Sequence, residues 1–182
     1  MKLALARTIQ ISILTTILLI CGLSLYARPQ TQSPSRKAGP FRVSAIQIQQ
    51  IQSDDVKLPA EFQMALYENV IEQVDKTKRF QHVYRDGEMA AANTPDLVAL
   101  HCTVTGFKQG SAMARQVTTV VGATTITVHM RFTDKDGKSL LEDDTKGQVR
   151  FFGENLRATY NFGKKVGAVV RENFAATSAS SK

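Results

Sequence analysis

Two histidines and a run of three carboxylates are the residues whose types could do chemistry. His101 and His129 each stand in a stretch where apolar and polar residues alternate, and Glu142, Asp143 and Asp144 follow soon after. Imidazole and carboxylate groups serve as general acids and bases and as ligands for divalent metals. If the strands that carry them pair side by side, these groups would meet on one face of a sheet.

The spacing of these residues supports neither catalysis nor metal binding. A zinc site needs three or four ligands, and the His and Cys residues of this chain do not have the spacing of such a site. Adjacent strand residues point to opposite faces, so the three carboxylates cannot all converge. The chain also has no nucleophile-elbow motif. We therefore predict no catalytic residue, no metal and no cofactor, and we expect that the protein is not an enzyme.

A basic set near the C-terminus is the one surface that suggests a ligand. Arg157, Lys164 and Arg171 are spaced by seven residues, which places them within about 40° of one another on a helix, with Lys165 beside them. Such a surface could bind an anionic lipid, a membrane surface or an acidic protein. The alternative is that it is the solvated back of an amphipathic helix.

The elements that would position these side chains are dominated by one predicted β-hairpin over residues 117–152. Ile126, Val128, Met130 and Phe132 alternate with polar residues, which is typical of a strand with one buried face. An Asp136-Gly137 step predicts a two-residue turn, because Gly tolerates positive φ. The resulting register pairs Arg131 with Glu142 and His129 with Asp144. Gly122 could mark a bulge in the first strand or a place where a partner's backbone approaches.

The remaining segments predict an α/β (α+β) fold of order β-α-β-β-β-β-α. We expect a mixed, mainly antiparallel sheet of about five strands with two main helices packed on one face. A strand over 41–51 precedes a helix that Pro59 opens, and strands over 80–84 and 96–107 lead through a flexible loop at 106–115 to the hairpin. Asn155 is predicted to cap the final helix, in which Gly163 and Gly167 should lie against the sheet.

The N-terminus has the sequence pattern of an export signal. Lys2 and Arg7 precede an apolar run over residues 11–26, which predicts a signal peptide or an uncleaved membrane anchor over residues 1–27. Lipidation of Cys21 is disfavoured, because Ile20 stands where a lipobox needs a small residue. Residues 28–40 are rich in Pro, Ser and Gln and predict a disordered linker, 41–174 a single domain, and 175–182 a disordered tail. The domain should therefore lie in the periplasm or outside the cell, where an uncleaved anchor would tether it.

The distribution of charge disfavours nucleic-acid binding. The chain has a formal net charge of +7, but residues 41–182 hold 18 Lys and Arg against 16 Asp and Glu, a net charge of only +2. A nucleic-acid-binding domain concentrates basic charge on its folded surface. Cys102, in an apolar strand, would be the one thiol left after cleavage of the export signal, and we expect it to behave as a small buried hydrophobe.

The order of these elements, with the DLVALHCTVTGF strand at 96–107, resembles small α/β domains of bacterial envelope proteins, among them the amino-terminal domain of TolB, the periplasmic part of CsgG, and LpoB. Over residues 41–172, TTVVGATTITVHMRFTDKDGKSLLEDDTKG followed by FGENLRATYNFGKKV looks like a bacterial envelope family known only as a domain of unknown function. The resemblance implies a noncatalytic role in assembly or interaction, with an envelope protein as partner. The alternative is a binder or sensor of an anionic ligand or lipid. The oligomeric state stays open.

Overall fold

The computed structural model describes residues 40–53, 55–117, 122–150 and 154–177. Along them run five strands, β1 (Ala45–Ile48), β2 (His82–Arg85), β3 (Leu97–Lys108), β4 (Thr124–Thr133) and β5 (Ser139–Val149). The helices are α1 (Ala60–Asp75), α2 (Met89–Ala92), α3 (Ala112–Val117) and α4 (Arg157–Asn173). The predicted export segment with Cys21, the linker up to residue 39 and the last five tail residues lie outside the described residues.

The strands form one mixed sheet in the order β2-β1-β3-β4-β5. Strand β1 runs parallel to both β2 and β3, whereas β3 pairs antiparallel with β4 and β4 antiparallel with β5. Helices α1 and α4 supply apolar side chains to the core on one face of this sheet. The architecture confirms the predicted fold class, strand number and order of the main elements.

The core lies between this face and the two long helices. The alternating residues Ile126, Val128, Met130 and Phe132 of β4 are fully buried, as the sequence pattern predicts. Complete burial of a large apolar side chain stabilises the fold by about 1.5–3 kcal/mol relative to exposure. Their core neighbours from the other elements include Val98, Leu100, Phe62, Leu66, Phe162 and Val166.

Glycines allow the helices to pack closely, but not where the sequence pattern suggested. Gly163 and Gly167 face α1 rather than the sheet: a Cβ at Gly163 would lie 2.7 Å from the Asn69 carbonyl oxygen, and one at Gly167 3.1 Å from that of Gln73. The close approach of helix to sheet occurs at Gly147 of β5, where a Cβ would lie 2.2 Å from the Ala158 carbonyl oxygen.

The turn of the hairpin differs from the predicted two-residue turn. The Gly137 N–H donates to the Asp134 carbonyl, and the Asp134 N–H donates to the Lys138 carbonyl. This pattern, with Gly137 at φ 78°, is a three-residue loop over 135–137. An irregularity beside Phe132 then shifts the register by one residue, so that Arg131 still opposes Glu142 and His129 still opposes Asp144. Asp136 and Gly137 both lie in the loop. The extra loop residue and the irregularity beside Phe132 each shift the register by one residue, in opposite senses, so the predicted pairs are kept.

Gly122 precedes β4 and is not part of a bulge. Its carbonyl oxygen would lie 2.0 Å from a Cβ built at Gly110, so the backbone that approaches it belongs to this chain. The bulge on this side of the hairpin lies in β3, between Val104 and Gly106. The close approach of the two backbone segments accounts for the absence of a side chain at Gly110.

Helix α3 and a later start of β4 replace parts of the predicted loop and hairpin. Strand β3 continues to Lys108, α3 follows at Ala112, and β4 begins at Thr124, while residues 118–121 and 151–153 lie outside the described residues. At the other end of the hairpin, Asn155 does not cap α4, whose N-cap residue is Leu156. The side-chain oxygen of Asn155 instead accepts a hydrogen bond from the Thr124 hydroxyl at 2.8 Å.

The two ends of the domain are joined. Phe41 pairs with Phe174 through backbone hydrogen bonds, in which the Phe41 N–H donates to Asn173 and the Ala175 N–H donates to Phe41. Thr177 donates its N–H to the Arg79 carbonyl and its hydroxyl to the Val43 carbonyl. The predicted disordered tail therefore has residues 175–177 held by the domain.

Candidate functional site

The sheet face opposite α1 and α4 carries a grid of polar side chains from β3, β4 and β5. One row across these strands contains His101, Arg131 and Glu142, and the next contains Thr103, His129 and Asp144. Opposed residues on one face have Cβ atoms about 4.5–5.5 Å apart, so each row forms a set of neighbours. Alternation along the strands places these groups away from the core because their sequence neighbours are the buried apolar residues.

The row with His129 is internally paired. The Nδ1–H of His129 donates to Oδ1 of Asp144 at 2.9 Å. This is the cross-strand pair that the register predicted. The hydrogen bond orients the imidazole ring and occupies one oxygen of the Asp144 carboxylate, so the two side chains are partners of each other.

The row with Arg131, in contrast, is not internally paired. Glu142 lies opposite Arg131, yet its Oε1 accepts a hydrogen bond from the Ser139 hydroxyl at 2.9 Å. Within residues 40–53, 55–117, 122–150 and 154–177, Arg131 forms neither an ion pair nor a side-chain hydrogen bond. The register places Arg131 and Glu142 side by side, but they do not form a salt bridge.

His101 stands beside this guanidinium. Its Nε2 lies 3.1 Å from the Thr133 hydroxyl oxygen, with which it shares a hydrogen bond. Partial burial, and secondarily the positive charge of Arg131, lower the pKa of His101 below its usual value, while Asp86 opposes the shift. The imidazole is therefore mainly neutral near neutral pH.

A depression of 380 Å³ lies over the grid, and its walls are polar. Gln52 closes one side because the chain after β1 continues beside β3, where it makes a single bridge with Thr103. The lining residues are Gln52, His101, Thr103, His129, Arg131 and Glu142. A second depression of 430 Å³ begins at His101 and extends over Ala99 and Thr133 towards the hairpin loop.

Metal and thiol chemistry find little support in this arrangement. In the part of the chain that the structure describes, no group of three or more His, Cys, Asp or Glu side chains could hold a metal ion. The Cys102 thiol is 1% exposed, and burial raises its pKa to about 12, so it stays protonated.

The basic set on α4 faces solvent as predicted from its spacing. Arg157, Lys164, Lys165 and Arg171 are all exposed, and none of them forms an ion pair with another described residue. The ammonium group of Lys164 lies 5.9 Å from the centre of the Tyr160 ring. The four cations therefore form a basic surface, which we call the α4 basic face.

The sheet has two open edges within the described residues: β2 pairs only with β1, and β5 pairs only with β4. The longer edge, β5, exposes hydrogen-bonding groups in a definable direction. The Asn161 side chain donates to the Gln148 carbonyl at 2.7 Å, so this carbonyl points away from β4. Residues two apart on a strand share their direction, and therefore the Lys146 N–H and carbonyl also point outward.

Sequence reasoning located most of this grid but missed one lining residue, Gln52, and the unpaired state of Arg131. His101, His129 and the carboxylates were identified from their types, whereas Gln52 and the unpaired state of Arg131 were not. Alternation along β3 places Thr103 on the same face as His101, and the β3–β4 register in the structure sets it beside His129. Gln52 gave no sequence signal, because it follows the end of a short strand.

Comparisons with known proteins identify the fold. No family model matches the chain, and neither does any curated protein. Among solved structures, the PelC dodecamer from Paraburkholderia phytofirmans has a TM-score of 0.55 at 10% identity, covering 77% of this chain and 95% of the PelC chain. The chain shares its fold with PelC. A variant of the same PelC gives a TM-score of 0.53 at 11% identity, over 77% and 96% of the two chains.

A third neighbour is more distant. A Xanthomonas campestris protein assigned to a domain-of-unknown-function family is 11% identical, covers 77% of this chain with 86% of its own, and has a TM-score of 0.44. A TM-score of 0.44 is too low to establish a shared fold, unlike the values of 0.53 and 0.55 for PelC. Within the described residues of this chain, no helix is long and apolar enough to cross a bilayer.

Proposed function

We propose that this chain is a noncatalytic, exported cell-envelope domain that acts by binding protein, first of all further copies of itself, through its open strand edges. The observation that carries the proposal is the edge of β5, an 11-residue strand that pairs only with β4 within the described residues and whose outer backbone groups at Lys146 face away from the sheet. An exposed strand edge is a template for pairing with another chain.

Two further observations support this role. PelC, which shares the fold, is a dodecamer. The basic and apolar N-terminus has the pattern of an export signal or anchor, which would place the domain in the envelope. We include in the same proposal a likeness to the small α/β domains of TolB, CsgG and LpoB, and a role without catalysis.

The test uses two substitutions at one position of the β5 edge. Lys146→Pro removes an outward N–H without removing a bond to β4, whereas Lys146→Ala removes the same charge and keeps the N–H. We expect sedimentation velocity of the full chain in uncharged detergent to show oligomers for the wild type and for Lys146→Ala. The Lys146→Pro variant should be mainly monomeric.

Two results would count against assembly through this edge. A wild-type chain that stays monomeric, and that captures no protein from its native envelope in a pull-down, would remove the proposed function. Oligomers that are unchanged in Lys146→Pro would show that the assembly uses another surface.

The second candidate function is binding of an anionic lipid or ligand by the α4 basic face. It is favoured by the four exposed cations that lack ion-pair partners in the described part of the chain. Replacing Arg157, Lys164 and Arg171 with Gln should abolish binding to phosphatidylglycerol vesicles and leave binding to neutral vesicles unchanged. Equal binding by the variant and the wild type would exclude this candidate.

A further inference from the structure

The polar grid on the sheet face contains one charged group that the fold does not use. Arg131 has five N–H donors in a planar fork, and its cross-strand neighbour Glu142 is turned towards Ser139 instead. The neighbouring row differs, because His129 and Asp144 are paired with each other at 2.9 Å. The fold therefore holds a guanidinium group beside a depression without neutralising it.

The groups around Arg131 are arranged as donors with one acceptor. The Gln52 amide and the Thr103 hydroxyl can donate from one side of the depression, and His101 lies next to Arg131 on the adjoining strand. Glu142, on the opposite side of Arg131, is the carboxylate that remains accessible. A molecule seated here would meet a positive group and a negative group on adjacent strands.

We propose that this depression is a binding site for a small α-amino or α-hydroxy carboxylate. The carboxylate accepts two parallel hydrogen bonds from the Arg131 fork, the geometry that guanidinium groups favour. The ammonium or hydroxyl group, one carbon away, donates to Glu142. A phosphate dianion fits less well, because Glu142 would repel its second charge. This site is separate from the α4 basic face, and it uses the Glu142 side chain of β5 rather than the outer backbone groups of that strand.

Glycine, acetate, ethylammonium and inorganic phosphate are the probes that test this assignment. They are titrated into the full ¹⁵N-labelled chain in uncharged detergent, and NMR follows the Arg131 Nε–H signal. We expect saturable binding of glycine, with acetate about tenfold weaker because it lacks the second contact, a loss that corresponds to one hydrogen bond to a charged group. Ethylammonium and phosphate should bind more weakly than glycine.

Variants assign the two contacts separately. Arg131→Gln should abolish saturable binding of glycine and acetate, and Arg131→Lys should weaken both because it keeps the charge but loses the fork. Glu142→Gln should lower the affinity for glycine to that for acetate. Arg150→Gln is the matched control, because Arg150 is also exposed and its Nε–H donates to Gln148 outside the depression.

Several outcomes would overturn the proposal. Glycine binding that survives in Arg131→Gln, or that falls equally in Arg150→Gln, would remove Arg131 from the site. Phosphate binding as tight as glycine binding would contradict the role of Glu142. Shifts that rise linearly with every probe would show that the depression has no site.

Discussion

At the scale of single residues, small side chains are required wherever backbone segments approach closely. Gly147 is the clearest case, because a Cβ there would lie 2.2 Å from the Ala158 carbonyl oxygen and 2.7 Å from the Phe162 Cβ. Backbone and a buried aromatic residue cannot move aside cheaply. The requirement arises from the packing of α4 on β5, and the local sequence of β5 does not predict it.

Gly147→Ala is therefore expected to destabilise the domain by about 1–3 kcal/mol through overpacking. Gly106→Ala is the matched control, because its Cβ would lie 3.5 Å from the Thr127 side chain, an ordinary contact, and Gly106 is not among the glycines with positive φ. Its effect should be close to neutral or stabilising by less than about 1 kcal/mol. Urea unfolding of the two variants checks the difference, and equal midpoints would contradict it.

The titration of His101 gives a second prediction at this scale. Its pKa lies below the usual imidazole value, first because of partial burial and then because of Arg131. Arg131→Gln should raise the NMR titration midpoint of His101, and Arg150→Gln should leave it unchanged. Because the unfolded chain takes up the proton at higher pH than the folded one, His101 should reduce stability as pH falls below about 6.5. The reduction should be absent in His101→Gln.

At the scale of elements, the hairpin loop is organised by its first aspartate and its glycine. The Asp134 carboxylate accepts hydrogen bonds from the N–H groups of Asp136 and Lys138, at 3.0 and 2.9 Å. Gly137, the last residue of the loop, adopts the left-handed conformation with φ 78°. An aspartate that bonds the backbone two residues ahead is a common way to fix a turn.

Asp134→Ala should destabilise the domain by about 0.5–1.5 kcal/mol, the usual net contribution of a hydrogen bond, and at the upper end because two bonds are lost. Lys135→Ala, in the same loop, has an exposed side chain and should change the stability little. Thermal unfolding compares the two variants. An unchanged Asp134→Ala would mean that Gly137 alone fixes the loop.

At the scale of the whole molecule, the two ends of the domain stabilise each other. Phe174 is 1% exposed, and its ring lies 5.3–5.6 Å from the rings of Phe41, Phe80 and Phe132. Such centroid distances are typical of favourable aromatic packing. Phe174, the residue directly after α4, thereby closes the core between the start of the domain and the sheet.

A chain that ends at residue 173 should lose about 3–5 kcal/mol of stability, the cost of removing a buried Phe side chain. A chain that ends at residue 177 keeps Phe174 and the hydrogen bonds of Thr177 to Val43 and Arg79, and should unfold like the wild type. Urea unfolding measures both. If the two truncated chains are equally stable, the joined ends contribute nothing.

How far the sequence predicts the site is shown by Arg131 and Glu142. Alternation put them on the polar face, and the register set by burial put them opposite each other, as the structure has them. Whether opposed charges form a salt bridge depends on rotamers and on competing donors such as Ser139, which lies three residues from Glu142. Exposed pairs differ by less than about 1 kcal/mol from their alternatives, so sequence cannot decide them.

By itself, the sequence determined the fold class, the number of strands, the two long helices and the buried set of β4, because apolar periodicity couples directly to burial. Only the tertiary structure decided that Gly147 rather than Gly163 meets the opposite layer, that Asn155 holds Thr124 rather than capping α4, and that Gln52 walls the depression. These features depend on contacts between segments far apart in the chain. Local sequence patterns determine the conformation of each segment, whereas tertiary packing determines which segments are in contact.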